Sequence, residues 1–220
     1  MNANNRFDLK HDTALDNKRP IVFVVDDDVS VRESLELLIN FAECQPILFE
    51  SAQDFLSQPR PRVPSCLVLD INLPGLNGLD LQTSIANDRP GMPIIFITGY
   101  GDIPRSVRAM KAGAVEFLTK PFDDTVLLKA IADAHESSRV ALEREECLRS
   151  VRDKYASLTP REQEVMAMVV AGLMNKVIAA DLDISEITVK AHRGKAMRKM
   201  KARSLADLVR MAEQLSVELN

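Results

Sequence analysis

From Ile21 onward, short apolar runs alternate with stretches in which apolar residues recur every three or four positions. Ile21 to Val25 (IVFVV) is a continuous β-branched and aromatic run, the pattern of a strand buried on both faces. Val29 to Ala42 follows, with Val31, Leu35, Leu38, Ile39 and Ala42 on one helical stripe. PILFE, CLVLD (Cys66 to Asp70), PIIFIT (Pro93 to Thr98) and AVEFLTK (Ala114 to Lys120) predict four more strands. Helical spacing returns over Gly78 to Ala86, over Ile103 to Ala112, which Gly113 closes, and over Asp123 to His135. Five strands with five helices between and after them, the one between PILFE and CLVLD counted without bounds, predict a doubly wound parallel sheet covered on both faces.

Past Glu136 the pattern changes. The stretch ESSRVALEREECLRSVRDKYA is heavily charged and lacks Pro and Gly, so it predicts a helical, solvated linker continuing the preceding helix. Thr159 followed by Pro160 and an apolar-periodic run is a helix start, with Thr as cap and Pro in the first turn. Four short helices are expected from there, over about 160–171, 175–182, 185–200 and 204–215. The boundaries read as an arm over 1–19, an α/β domain over 20–136, a linker over 137–156 and a small all-α domain over 157–220.

Charge sharpens this division. The whole chain carries a formal charge of −4, but residues 156–220 hold 10 basic against 8 acidic side chains, leaving the front part at −6. An acidic front and a mildly basic back suggest two tasks on one chain. Three cysteines at wide spacing (Cys44, Cys66, Cys147) form no CxxC pair, which favours a reducing compartment. The first twenty residues are polar, and no apolar run has the length of a membrane span. A cytoplasmic protein without a membrane partner is expected.

In a doubly wound sheet, ligands bind beyond the carboxyl ends of the strands. The first run ends in Asp26, Asp27 and Asp28, the third in Asp70 and Asn72, the fourth in Thr98 and the fifth in Lys120. Closely packed carboxylates raise one another's pKa, and a hard divalent cation such as Mg²⁺ (or Mn²⁺) relieves the repulsion. One carboxylate beside the ion can then attack a phosphoryl group, with Lys120 neutralising the transferring oxygens and the Thr98 hydroxyl donating to one of them. A lone aspartate at a strand end is more often a cap, and Asp28 has the position to cap the helix that starts at Val29.

VVDDD, LDINLPGLNG, FITGYGD and FLTKPF resemble the motifs of two-component receiver domains across residues 20–135. The resemblance implies a flavodoxin-like fold with Asp70 as phospho-acceptor and Asp26 and Asp27 as the acidic pair. It implies Mg²⁺ held by the carboxylates of Asp27 and Asp70, by Asp26 through water and by the Asn72 carbonyl. Thr98 and Lys120 match the signalling hydroxyl and the phosphate-pairing lysine. Phe117 falls at the aromatic switch position, where an ordinary core aromatic is the alternative. Tyr100 falls where the family tunes loss of the phosphate.

Residues 190–203 (KAHRGKAMRKMKAR) hold seven Lys or Arg and no acid. On a helix after a short turn, such a face attracts duplex phosphates, although most charge runs are solvated faces. LTPREQEVMAMVVAGLMNKVIAADLDISEITVKAH resembles the LuxR-type DNA-binding domain. That resemblance implies a recognition helix from Ser185 presenting Glu186, Lys190, Ala191, Gly194 and Lys195 to the groove, with Val189, Met197 and Met200 inward. Lys176, Thr188, Arg193 and Arg198 are candidates for phosphate contacts, and His192 reads as structural. Ala196 stands where the family usually has a branched aliphatic, so looser or compensated packing is expected. Gly194 either permits close approach of backbone to DNA or merely weakens the helix. Leu205, Leu208, Val209, Ala212 and Leu215 form a stripe on the last helix, mostly core, part of which often serves the family as a dimer contact.

Together these features resemble response regulators of the FixJ and NarL kind, and DIPRSVRAMKAGAVEFLTKPF favours the FixJ branch. They imply a phosphorylation-switched transcription regulator, expected to be an activator and not an enzyme beyond its own phosphorylation and slow dephosphorylation. The implied partners are a histidine kinase, promoter DNA, RNA polymerase and, when phosphorylated, a second copy. Two rivals stand beside this reading. A phosphohydrolase would place its nucleophile at Asp26 or Asp28, and an interaction module would use the basic helix on an acidic partner.

Overall fold

The computed structural model describes residues 19–59, 62–74, 78–89, 91–99 and 103–216. The expected arm, apart from Arg19, and Tyr100 lie outside them. The described residues form two compact units, one ending at Leu142 and the other beginning at Glu143.

The first unit is built on five parallel strands: β1 (Ile21–Val25), β2 (Gln45–Phe49), β3 (Ser65–Asp70), β4 (Ile94–Thr98) and β5 (Glu116–Thr119). Their order is β2-β1-β3-β4-β5. The helices are α1 (Val29–Phe41), α2 (Ala52–Leu56), α3 (Gly78–Asp88), α4 (Ile103–Lys111) and α5 (Asp124–Ala156). Successive residues of β1 point to opposite cores, as the two-residue period requires. Phe23 and Val25 join Phe49, Phe55, Leu67, Leu69 and Phe96 on one face. Val22 and Val24 join Leu35, Ile39, Val68, Ile95, Leu127 and Ile131 on the other. Both faces are covered, which is why the strands read as continuous apolar runs.

Strand order reverses between β1 and β3, so the carboxyl ends of these two neighbours open the ligand crevice. Asp28 caps α1, its side chain accepting from the Ser30 amide at 2.8 Å. Gly78 starts α3 where a Cβ would lie 2.7 Å from the Asp70 carbonyl oxygen and 3.0 Å from the Ile71 Cα. The close approach of α3 to the end of β3 therefore requires glycine.

Helix α5 is continuous, as the uninterrupted charged stretch led us to expect, but its course is not all solvated. Ser138 is buried and its hydroxyl accepts from the Ser65 amide at 3.1 Å. Further along, Val151 and Tyr155 enter the core of the second unit with Leu158, Val165, Met166, Val189, Met200 and Leu208. That unit adds α6 (Pro160–Val170), α7 (Asn175–Asp181), α8 (Glu186–Met200) and α9 (Leu205–Ser216). Thr159 and Glu162 form a capping box at the start of α6, with Pro160 in its first turn.

Candidate functional site

Three carboxylates converge at the crevice. Asp26 follows β1 and is wholly buried, Asp27 is exposed, and Asp70 ends β3 at 6 % exposure. One oxygen from each lies within 4.8 Å of the others, an arrangement able to hold a cation with hard oxygen donors. The Lys120 ammonium enters from the end of β5, 2.6 Å from Asp26 Oδ2 and 3.4 Å from Asp70 Oδ2. Burial pushes the Asp26 carboxyl above its ordinary pKa, against the lowering pull of Lys120 and of the Asp28 amide. Asp28 is held below the ordinary value by its hydrogen bonds from Ser30, so it acts as a cap and stands apart from the trio.

The rest of the rim comes from β4 and α4. Thr98 is fully buried at the end of β4. The Asn72 backbone amide donates to Asp70 Oδ1 at 3.2 Å, and its side-chain amide donates to Thr98 Oγ1 at 3.1 Å. Arg105 Nη1 on α4 donates to Asn72 Oδ1 at 3.1 Å. Phe117 is half-buried on β5, its ring 6.4 Å from that of Phe96. Asp26, Asp27, Asp70, Asn72, Thr98 and Lys120 thus share one crevice, as their positions at strand ends suggest. Sequence reading missed Arg105, whose approach to Asn72 spans 33 residues, and it assigned no role to the Asn72 side chain.

In the second unit, α7 and α8 are joined by a turn over 182–185, and Ser185 caps α8 by accepting from the Thr188 amide at 3.1 Å. Val189, Ala196 and Met200 are buried. Glu186, Lys190, Ala191, Lys195, Arg198 and, on α7, Lys176 are exposed, whereas Thr188, His192, Arg193 and Gly194 are half-buried. Arg193 Nη1 reaches Asn175 Oδ1 at 3.4 Å. Ala196 is buried in a core that also holds Met166 and Met200, with Met168, Met197 and Met211 packed against it, adaptable side chains suited to filling irregular space. Two features escaped the sequence reading. Ile187 stands 80 % exposed on the first turn of α8, an apolar side chain suited to a thymine methyl. Lys199, counted there as part of the basic face, is paired with Glu162 at 2.6 Å.

Comparison with known proteins places both units. Residues 22–132 match the response regulator receiver domain, and residues 156–212 match the bacterial regulatory proteins of the luxR family. Nodulation protein W of Bradyrhizobium diazoefficiens is 52 % identical over 92 % of this chain and 89 % of its own. The transcriptional regulatory protein FixJ of the same organism is 41 % identical, over 87 % of this chain and 93 % of its own. Among solved structures, the response regulator StyR aligns with a TM-score of 0.79 and 46 % identity, over 90 % of this chain and all of that one. The helices and strands above, the crevice and these similarities agree: the chain belongs to the transcriptional response regulators that join a receiver domain to a LuxR-family DNA-binding domain.

Proposed function

We propose that a histidine kinase switches this regulator by delivering a phosphoryl group to Asp70, and that the phosphorylated form activates transcription. The Asp70 carboxylate attacks phosphorus, the bond from phosphorus to the donor imidazole breaks as the imidazole takes a proton, and an aspartyl phosphate results. Asp27 and Asp70 by their carboxylates, Asn72 by its carbonyl and Asp26 through water would hold Mg²⁺ or Mn²⁺. When bound, the ion neutralises carboxylate and phosphoryl charge. Lys120 pairs with a phosphoryl oxygen, Thr98 donates its hydroxyl to another, and Phe117 follows Thr98 inward. The face of α4, β5 and α5 changes with them and favours a homodimer, in which two DNA-binding domains act at one promoter.

In that complex Glu186, Lys190, Ala191, Gly194 and Lys195 face the groove, while Lys176, Thr188, Arg193 and Arg198 fix register on phosphates. The dimer, in the cytoplasm, then recruits RNA polymerase. The corresponding boundaries are a receiver over 20–136, a linker over 137–156 and a DNA-binding domain over 157–220. One observation carries the reading: three carboxylate oxygens from Asp26, Asp27 and Asp70 within 4.8 Å, with the Lys120 ammonium on two of those side chains. The test is Asp70→Asn with a small phosphodonor. The variant is expected to incorporate no phosphate, and undiminished incorporation overturns the acceptor assignment.

A further inference from the structure

Helix α4 is tied to the β3–α3 side of the molecule by polar side chains near both ends. Near its C-terminus, the buried Gln82 of α3 donates to the carbonyl oxygens of Ala109 and Ala112, at 3.2 and 3.1 Å. Gln82 thus fastens the last turn of α4 and the residue after it, where the Ala109 carbonyl also accepts from the Ala112 and Ala114 amides at 3.2 and 3.1 Å. Near its N-terminus the tie is Arg105, which holds Asn72 Oδ1, while Asn72 Nδ2 holds the hydroxyl oxygen of the buried Thr98. The two ties differ in exposure. The Gln82–Ala109 bond is buried and the Gln82–Ala112 bond partly so, whereas Arg105–Asn72 is at the surface and open to exchange with water.

We propose that Arg105 is a positioning residue for phosphoryl acceptance. Through Asn72 it holds Thr98 in the arrangement of the unphosphorylated state, and the relay opens when Thr98 turns to a phosphoryl oxygen. The chemistry fixes the direction. The Asn72 amide has one orientation that satisfies both neighbours: its oxygen accepts only from a donor such as the guanidinium, which leaves its nitrogen for Thr98. Thr98 Oγ1 accepts from Asn72 and keeps its own proton to donate. It is the turn of that oxygen toward the phosphoryl group, away from Asn72 Nδ2, that breaks the relay, and the relay then adds its free energy to the inactive state. Arrival of the phosphoryl group then releases the exposed N-terminal tie while Gln82 keeps the other end of α4 in place. The face that would move carries Ile103, Val107 and Met110, all exposed.

This inference rests on the proposed phosphoryl site at Asp70, and its test separates the two. Full-length protein is titrated with beryllofluoride and Mg²⁺, and bound fluoride is read by ¹⁹F NMR. Arg105→Ala is expected to bind beryllofluoride about 3- to 10-fold more tightly than wild type, the size of one or two modest hydrogen bonds. Asn72→Ala, which leaves the backbone carbonyl in place, should do the same. The double variant should gain no more than either single, because the two residues act as one relay. Arg105→Lys should fall between. A gain in affinity is a readout that mere loss of structure does not give. Equal affinity in wild type and variants, or additive single effects, overturns the relay and leaves Asp70 untouched. No binding by wild type overturns the Asp70 reading and the relay with it.

Discussion

At the scale of single residues, interior placement decides chemistry that side-chain type alone leaves open. His135 on α5 is buried between two thiols and a carbonyl: its Nε2 meets the Ile21 oxygen at 3.1 Å and Cys66 Sγ at 3.6 Å, and its Nδ1 meets Cys44 Sγ at 3.9 Å. Burial lowers its pKa from the ordinary 6.5, outweighing the Ile21 carbonyl, so the folded state favours the neutral ring. The unfolded chain binds the proton more readily. The stability from this group is therefore present above about pH 6.5 and is lost as pH falls below that value toward the folded pKa. Thermal unfolding of the receiver is expected at lower temperature at pH 5.5 than at pH 7.5, with His135→Gln flattening that difference. A pH profile of the variant parallel to that of wild type would refute the assignment. The same burial raises both thiols, so neither is poised as a nucleophile. Cys66 lies on β3 and Cys44 immediately before β2, on opposite sides of β1, and two strand spacings of roughly 4.8 Å each exceed the reach of a disulfide. Gly78 is decided just as locally. Gly78→Ala puts a methyl group against the backbone of Asp70 and Ile71 and is expected to destabilise the receiver by about 2 kcal/mol or more, read in a urea melt.

At the scale of elements, what was legible in the sequence is what short-range physics specifies. The five strand runs are apolar without alternation because both faces of the sheet are covered, and Asp28 and Thr159 announced their helices because a cap acts within three residues. Observed boundaries differ by a residue or two where apolar runs extend past the last ladder partner, as at Ala114 and Val115 before β5. Helix α2 could be counted but not placed, since five residues with two buried apolar positions make no periodic signal. Pairs separated by the fold were illegible for the same reason. Lys199 reaches Glu162 across 37 residues and holds its carboxyl at about 2, with the Thr159 amide adding to the effect. The start of α6 is thereby fastened to α8, and this tie is lost as pH falls from the ordinary 4.5 toward 2. Glu162→Gln should lower the melting temperature of the DNA-binding domain at neutral pH, and Lys199→Ala should reproduce it. Gly194 can now be resolved by measurement. A Cβ there meets nothing nearer than Arg198 Nη1 at 3.7 Å, so Gly194→Ala should stabilise α8 by roughly 0.5–1 kcal/mol. If DNA affinity falls while stability rises, glycine serves close approach to the duplex. If affinity is kept, glycine only weakens the helix.

At the scale of the whole molecule, the charge division gives the switch a measurable signature. The DNA-binding domain carries its positive charge on a few exposed side chains, Lys176, Lys190, Lys195 and Arg198 among them, whereas Lys199 is neutralised by Glu162. Each phosphate contact that displaces a counterion contributes about −0.9 to the slope of log affinity against log salt. One domain on DNA thus has a slope set by its own contacts, and two domains held by the proposed phosphorylated pair would have twice that slope. Full-length protein is expected to show a salt slope that doubles in magnitude when beryllofluoride and Mg²⁺ are added, measured by anisotropy of a labelled operator-length duplex. Lys176→Ala should then reduce the slope by about one per domain, and so by about two in the activated state, with little change in sequence preference. A slope that stays constant while affinity rises would mean that activation only frees a DNA-binding domain already able to bind alone. Doubling of the slope together with a steeper concentration dependence would mean that activation pairs two copies on one site.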